Sequence, residues 1–394
     1  MIKLGVIGYG GRIQGILKMI ASLKADTRLV AITDVRNDAI KAQMRAQGSQ
    51  GEDHDQVHFY TDADQMLETE PLDGVLVGTR CSLHSQMGCK VLAHNLPLFL
   101  EKPVATNMAD LIALKTAGEN SSSKVVVSFP LRVTPLVQLA REIIDSGQIG
   151  TVEHVQAYNN VPYGGVYYHN WYRDEAETGG LFLQKATHDF DYINYLLGTQ
   201  PTWISAITSK QVFKGTHPAG LACLECPEQE TCPESPRNLF LHSAETSRID
   251  ELPFPTYLCS FGVDTGNEDS GSALIQYESG MHVSYSQNFY ARKGAATRGA
   301  TLIGYKGTVQ FDWYTDELKV FMHHTPRVET HKIDSKAMSH GGGDLVLVQS
   351  YLDIIRNPGS GVSVAPLQAG LLSVLMCLKA KESARTHTFQ EVNF

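Results

Sequence analysis

Two rhythms of apolar and polar positions run along the chain, and the change from one to the other divides it. In the first third, short apolar runs stand at Lys3–Ile7, Leu29–Asp34, His58–Tyr60, Asp73–Gly78, Leu98–Glu101 and Lys124–Phe129. Between them lie stretches with helical spacing, at Asp38–Gln47, Asp62–Glu68, Ser85–His94 and Ala109–Gly118, and Ile16, Leu17, Ile20 and Leu23 share one helical face after the first run. Unbroken apolar runs suit strands buried on both faces. Their alternation with helices predicts an α/β unit, a doubly wound (Rossmann) parallel sheet over residues 1–130.

Beyond Phe129 the pattern changes. Leu136–Ser146 is helical and stopped by Gly147, while Thr151–Asn160 and Trp203–Phe213 alternate like strands. Ala273–Tyr277, Met281–Phe289, Ala300–Gly304, Thr308–Trp313 and Leu318–His323 read as a meander, with turns at Glu278-Ser279-Gly280 and Tyr305-Lys306-Gly307. Leu345–Arg356 and Leu367–Ser383 are amphipathic helices. An α+β domain with a large, mostly antiparallel sheet is therefore expected over residues 131–394. One face of that sheet must pack on helices, and the other is open to a subunit partner, so a homodimer or homotetramer is expected.

Composition narrows the function. The chain has 394 residues, 42% of them hydrophobic, which is ample for a large core. A net charge of -9 with no long run of like charge argues against nucleic acid or a membrane surface as a partner. The first residues lack the charged, apolar and small-residue regions of a signal peptide, and no apolar run approaches the roughly 18 residues that span a bilayer. Seven scattered cysteines do not form a secreted disulfide scaffold, so the expected compartment is the cytoplasm.

Candidate chemistry begins at the first turn. Gly8-Tyr9-Gly10-Gly11-Arg12-Ile13 lies between an apolar strand and a helix, the context a dinucleotide fingerprint requires. Gly8 allows the tight turn, Gly10 lets backbone amides approach a pyrophosphate, and the helix N-terminus adds partial positive charge. Ile13 takes the third glycine position, so wider helix–strand packing is expected there. Asp34 ends the second strand about 20 residues on, where a carboxylate accepts from ribose hydroxyls and favours NAD. Arg36 is placed to meet the 2′-phosphate of NADP instead. Thr79 and Arg80 follow the fourth strand and border the same crevice. His84 opens the next helix and either reaches the cofactor or caps the turn.

Leu98–Leu100 runs into Glu101, Lys102 and Pro103, which puts Lys102 at the carboxyl edge of a strand, where open α/β sheets bind ligands. In the second domain Trp171-Tyr172-Arg173 and Thr178-Gly179-Gly180 precede Leu183–Tyr192, where Lys185, His188 and Asp191 or Tyr192 share a helical face. A lysine, a histidine and a carboxylate together can hold, protonate and deprotonate a hydroxyl.

Gly8-x-Gly10, Glu101-Lys102-Pro103 and the stretch from Gly179-Gly180 to His188-x-x-Asp191 resemble the Gfo/Idh/MocA family of NAD(P)-dependent oxidoreductases. The resemblance runs from Met1 to the terminal helices and is weakest over Phe213–Leu258. It implies that Lys102 and His188 handle the proton while hydride passes between a sugar or polyol carbon and nicotinamide C4. Many members carry an aspartate four residues before the histidine. Gln184 stands there in this chain, so Asp191 or Lys185 is expected to partner His188. The resemblance also implies that Glu101 and Arg132 lie by the cofactor at the domain junction, and that Trp171 and Arg173 lie near the nicotinamide end. His340, in His340-Gly341-Gly342-Gly343-Asp344, would border the substrate, and Asp344 is equally a candidate N-cap. A carbohydrate dehydrogenase is the expected activity. The same residues fit an NAD-dependent glycoside hydrolase that oxidises a sugar carbon transiently, and some relatives are non-catalytic nucleotide- and sugar-sensing regulators.

Phe213–Leu258 holds six of the sixteen prolines and little periodicity, which is long for a structureless connection. Cys223-x2-Cys226-x5-Cys232 has the spacing of three ligands of a structural zinc, with Cys259 preferred over His217 as the fourth. Free thiols and an iron–sulfur cluster are the competing readings.

Overall fold

The computed structural model describes residues 1–46, 56–241, 257–334 and 339–394. The apolar runs of the first third become β1 (Ile2–Ile7), β2 (Thr27–Thr33), β3 (His58–Tyr60), β4 (Gly74–Val77), β5 (Leu98–Leu100) and β6 (Val125–Val127). Every residue of β4, β5 and β6 is buried, as continuous apolar strands covered on both faces should be. The helices between them are α1 (Gly11–Ser22), α2 (Asn37–Ala46), α3 (Ala63–Thr69), α4 (His84–Ala93) and α5 (Met108–Asn120). Strand order is β3-β2-β1-β4-β5-β6, with all pairs parallel. The winding reverses between β1 and β4. The carboxyl ends of those two strands therefore open the crevice in which such a sheet binds its ligand.

The second half contains α6 (Pro135–Asp145), β7 (Val152–Asn160), two one-turn helices α7 (Val166–His169) and α8 (Glu175–Thr178), α9 (Leu181–Leu197), β8 (Pro201–Ser209) and α10 (Pro236–Leu241). It continues with β9 (Ser270–Tyr277), β10 (His282–Asn288), β11 (Thr297–Gly304), β12 (Gly307–Asp312), β13 (Glu317–Met322), β14 (Val328–Lys332), α11 (Gly343–Arg356), α12 (Leu367–Thr386) and β15 (Gln390–Glu391). These strands form one nine-stranded sheet, ordered β14-β13-β12-β11-β7-β10-β9-β8-β15. All its pairs are antiparallel except β7 with β10. The periodicity missed β14, whose residues alternate only between exposed and half-buried, so no apolar face marks it.

Helix α9 lies between the sheet, α12 and α6, and it is buried around most of its circumference. The polar face predicted to carry Lys185, His188 and Asp191 or Tyr192 is not set apart from the buried one. Instead, its polar residues are buried against partners from other elements. The last two helices return to the parallel sheet: α11 packs on α1 and β6, α12 packs on α5, and the Val127 amide donates to Ala365 O. No described helix is long and apolar enough to cross a membrane.

Candidate active site

At the end of β1 the glycine turn is held by the strands on either side. Gly8 adopts a φ of 85°, and a Cβ there would lie 2.7 Å from the Gly78 and Thr79 backbone. Gly10 differs, because the nearest atom to a Cβ at that position is 3.8 Å away. The protein's own packing leaves room over Gly10, as the approach of a pyrophosphate to the backbone requires. Helix α1 begins there with no side-chain cap on its first amides and no acid in its first turn, an arrangement suited to an anion. Ile13 is fully buried, and a Cβ on Gly78 would lie 2.2 Å from its side chain. The glycine missing from α1 is thus supplied at the end of β4, and the packing is not widened. The Ile13 side chain belongs to the core and offers a ligand only its backbone.

Asp34 follows β2, and its carboxylate accepts from the Tyr9 and Arg36 amides and from the Arg36 guanidinium, all between 2.9 and 3.2 Å. Burial pushes this carboxyl up, but the Arg36 and Tyr9 hydrogen bonds outweigh it and hold it below its ordinary value. Asp34 and Arg36 therefore act as one paired unit at the ribose end. Arg12, expected at the cofactor, is engaged elsewhere: its guanidinium donates to Glu101 Oε1 at 2.8 Å, Ser128 Oγ at 2.9 Å and both oxygens of Asp344. His84 is a staple. One ring nitrogen lies 2.8 Å from Pro103 O and the other 3.1 Å from Thr79 O, in a side chain almost without exposure. It fixes the loop that carries Lys102, and no face of it is left for a cofactor.

Lys102 extends from the end of β5 across to α9, where its Nζ donates to Gln184 O at 3.1 Å, one turn before His188. Burial and the neighbouring ammonium of Lys185 bring Lys102 down to about 8. His188 is half-buried, edge-on to Phe129 at 5.8 Å, and its Nδ1 is buried without a hydrogen-bond partner. Burial, then the charges of Lys102, Arg298, His340 and Lys185, holds it well below 6.5, so near neutral pH the ring is an uncharged base. A lysine from the end of β5 and a neutral imidazole on α9 thus lie close enough for the charge of one to act on the other, each from a different half of the chain.

The expected partners of His188 are engaged with other groups. Asp191 accepts two bonds from Arg132, Nε to Oδ2 at 2.9 Å and Nη2 to Oδ1 at 2.5 Å, and both side chains are buried. This pair ties the turn after β6 to α9. Asp191 and Arg132 are therefore bonded to each other, and neither makes a hydrogen bond to His188 among the described residues. Lys185 donates to Tyr163 Oη at 2.9 Å and lies 4.6 Å over the rings of Tyr163 and Tyr167. Gln184 donates to Thr178 O, so the residue at the usual aspartate position faces its own helix entry. Tyr192 donates to Gly299 O, away from the crevice.

Of the remaining candidates, Trp171 is stacked on Tyr172 and carries the Arg80 guanidinium 4.0 Å over its ring, which joins the two halves at the crevice rim beside Thr79. Arg173, expected near the nicotinamide end, is buried and donates to Cys259 O, Asp264 and Thr265 Oγ1. His340 sits 2.7 Å from Asp344 and near enough to His188 to bias its charge. The N-cap of α11 is Gly342, and Asp344 lies in its first turn as the partner of Arg12. Two groups escaped the sequence reading. Tyr163 lies in a run of tyrosines and glycines whose aromatic density was the available signal. Arg298 pairs with the fully buried Asp189, which also accepts from Tyr285 and Asn159, and no local pattern marks it.

Cys223, Cys226, Cys232 and Cys259 border one small void away from the crevice, and all four are free thiols. His217 lies 4.0 Å from Glu228.

Comparison with known proteins covers both halves of the chain. Residues 2–129 match the oxidoreductase family NAD-binding Rossmann fold of the GFO/IDH/MocA group, and residues 137–310 match the GFO/IDH/MocA C-terminal domain. The chain is 27% identical over 321 residues to YteT of Bacillus subtilis (strain 168), a match covering 74% of each. It is 27% identical over 219 residues to the inositol 2-dehydrogenase of Rhizobium meliloti (strain 1021), covering 56% of this chain and 62% of that one. Hence the matched stretch spans less than two thirds of that dehydrogenase. In fold, the chain superposes over its whole length on levoglucosan dehydrogenase solved with NADH and levoglucosan, with a TM-score of 0.78 at 16% identity. With both family domains matched in order, over residues 2–129 and 137–310, the chain belongs to the Gfo/Idh/MocA family of oxidoreductases.

Proposed function

We propose that this protein is an NAD-dependent dehydrogenase acting reversibly on a CH–OH group of a sugar, polyol or related carbohydrate. The observation that carries the reading is the closeness of Lys102 to an uncharged His188. Bound nicotinamide would supply the hydride acceptor or donor. A hydroxyl placed between the two side chains gives its proton to the neutral imidazole, and the ammonium beside the oxygen stabilises the developing alkoxide. Lys185, held by Tyr163, adds positive charge to the same wall, and Trp171 under Arg80 offers a flat apolar surface at the rim. The names of the relatives, inositol and levoglucosan dehydrogenases, support a polyhydroxylated substrate. Asp34 favours NAD over NADP, since it would face a 2′-phosphate with like charge. The outward side of β8 and β9 exposes Trp203, Ile207 and Leu274, which supports a homo-oligomer joined through that sheet.

The test is a panel of sugars, polyols and aryl glycosides, read by NADH absorbance and by aglycone release. NADH formed from a polyol or sugar without aglycone release is the expected result. Aglycone release with no net NADH would assign transient oxidation and hydrolysis instead. NADH binding with neither signal across the panel would leave a sensor.

A further inference from the structure

Among the described residues of the insertion after β8, little apolar packing holds the segment. Phe213 reaches a small satellite cluster with Val161, Tyr168, Leu181 and Phe289, separate from the main core. What the segment does bring together is sulfur. An antiparallel bridge between Ala222 and Leu258 sets Cys223 beside Cys259, with the Cys223 amide on Tyr257 O at 2.8 Å and the Cys259 amide on Leu221 O at 2.7 Å. Cys223 and Cys226 bracket a single 3-10 turn, closed by the Cys226 amide on Cys223 O. Cys232 is carried in by a turn on Glu228 O, and its own carbonyl accepts from Ser235. The four side chains, spread over 37 positions, border one void of ≈ 10 Å³, about the room a single water-sized body needs.

A second observation points to a cation. His169 borders the same void and is almost fully buried. Its Nδ1 lies 2.7 Å from Leu258 O and so carries the proton, which leaves Nε2 a buried electron pair with no hydrogen bond. Four sulfurs on one void, with Cys223 Sγ in a long contact of 3.5 Å to Leu258 O, form a wall rich in soft donors, and the His169 nitrogen beside them adds to its polarity.

We propose that Cys223, Cys226, Cys232 and Cys259 bind one structural zinc ion as four thiolates. No three His, Cys, Asp or Glu side chains among the described residues stand in ligating geometry around one point. The backbones of the cysteines are fixed by the bonds above, so the sulfurs close on the ion by rotation about Cα–Cβ, each losing its thiol proton to solvent. Four thiolates complete a tetrahedral shell and leave no open position, which makes the site structural and not catalytic. It also has a direction of action. Arg173 donates to Cys259 O and the Leu258 amide donates to His169 O, so the knot clamps the segment that carries Trp171 to the crevice rim.

The test uses the full chain purified without added metal. Elemental analysis should give about one zinc per chain, and titration with an organomercurial should release it as four thiols react. Cys226→Ser and Cys232→Ser should each lose the zinc, while Cys89→Ser, on α4, should keep it. Less than about a tenth of an equivalent of zinc in folded protein that binds NADH would overturn the proposal, as would zinc retained by both cluster variants. Iron with acid-labile sulfide would overturn it too, in favour of a cluster. If the serine variants do not fold, the mercurial titration of the unaltered chain decides.

Discussion

Asp191→Ala separates two roles for the carboxylate on α9, a staple to Arg132 or a partner of His188. In the structure the Asp191 side chain is 1% exposed and its partner Arg132 8%, joined by two charge-assisted bonds. Removing the carboxylate leaves the guanidinium buried with, among the described residues, one remaining hydrogen bond, to Val364 O. Breaking one side of such a pair costs about 3–5 kcal/mol. With a urea dependence of about 3 kcal/mol per molar, the unfolding midpoint should fall by roughly 1–1.7 M. The measurement belongs at pH 8, above the value of about 6 to which burial raises the Asp191 carboxyl. Circular dichroism follows unfolding, and NADH formation is measured in the same samples below the transition.

The same reasoning requires that removing both charges restores most of the loss, because a buried ion pair replaced by apolar groups of similar volume is near neutral. Arg132→Met with Asp191→Leu should therefore recover more than half of the midpoint shift, and folded Asp191→Ala should keep turnover within about tenfold of the original. If instead the midpoint moves by less than about 0.2 M while turnover falls a hundredfold, Asp191 serves His188 and the staple account is wrong.

Three further outcomes follow from the crevice. His188→Ala and Lys102→Met should each lower turnover by about two orders of magnitude or more, with NADH affinity little changed in the histidine variant by fluorescence titration; more than a tenth of the original turnover in His188→Ala would make that histidine structural. The pH profile of kcat/KM for oxidation should stay high below pH 6.5, because His188 is neutral there, and should fall above about 8 as Lys102 loses its charge; an acid limb at or above 6.5 contradicts the assignment. Titration of both dinucleotides should favour NAD, and NADP tighter by about tenfold, or 1.4 kcal/mol, would show that Arg36 overrides Asp34.

The parallel sheet was legible because each of its strands carries its own signal, a short apolar run with a helix after it. The glycine turn and Lys102 were legible because a strand end is a local event. What the chain did not disclose is pairing at a distance. Ile13 looked like a defect in the fingerprint until Gly78, just past the end of β4 and 65 positions later, supplied the missing space. Arg12 finds Asp344, Arg132 finds Asp191, Arg173 finds Asp264 and Arg298 finds Asp189, and none of these partners lies within 50 positions. Motif reading assigned three of those arginines to ligands because a cation near a crevice is locally indistinguishable from one already neutralised. The cysteines were the converse case, where spacing alone gathered three, and the fold brought the fourth to the same void.

That neutralisation has a consequence for the base. With Arg12, Arg132 and Arg298 each held by a carboxylate, Lys102 stands out as a cation that makes no ion pair among the described residues, and its bond goes to a backbone carbonyl on the helix of His188. Its field acts on the imidazole with little to cancel it. Burial is the first reason His188 resists protonation and Lys102 the next, so the two residues are coupled and the lysine helps set the proton affinity of its partner. Lys102→Met should therefore raise the His188 pKa toward, without reaching, 6.5, since burial persists. Histidine-labelled protein titrated by NMR reads this directly, with His188→Ala assigning the signal, and it needs no turnover in the variant. A His188 titration unchanged in Lys102→Met would mean that burial alone holds the ring neutral, and that the lysine acts on the substrate oxygen only.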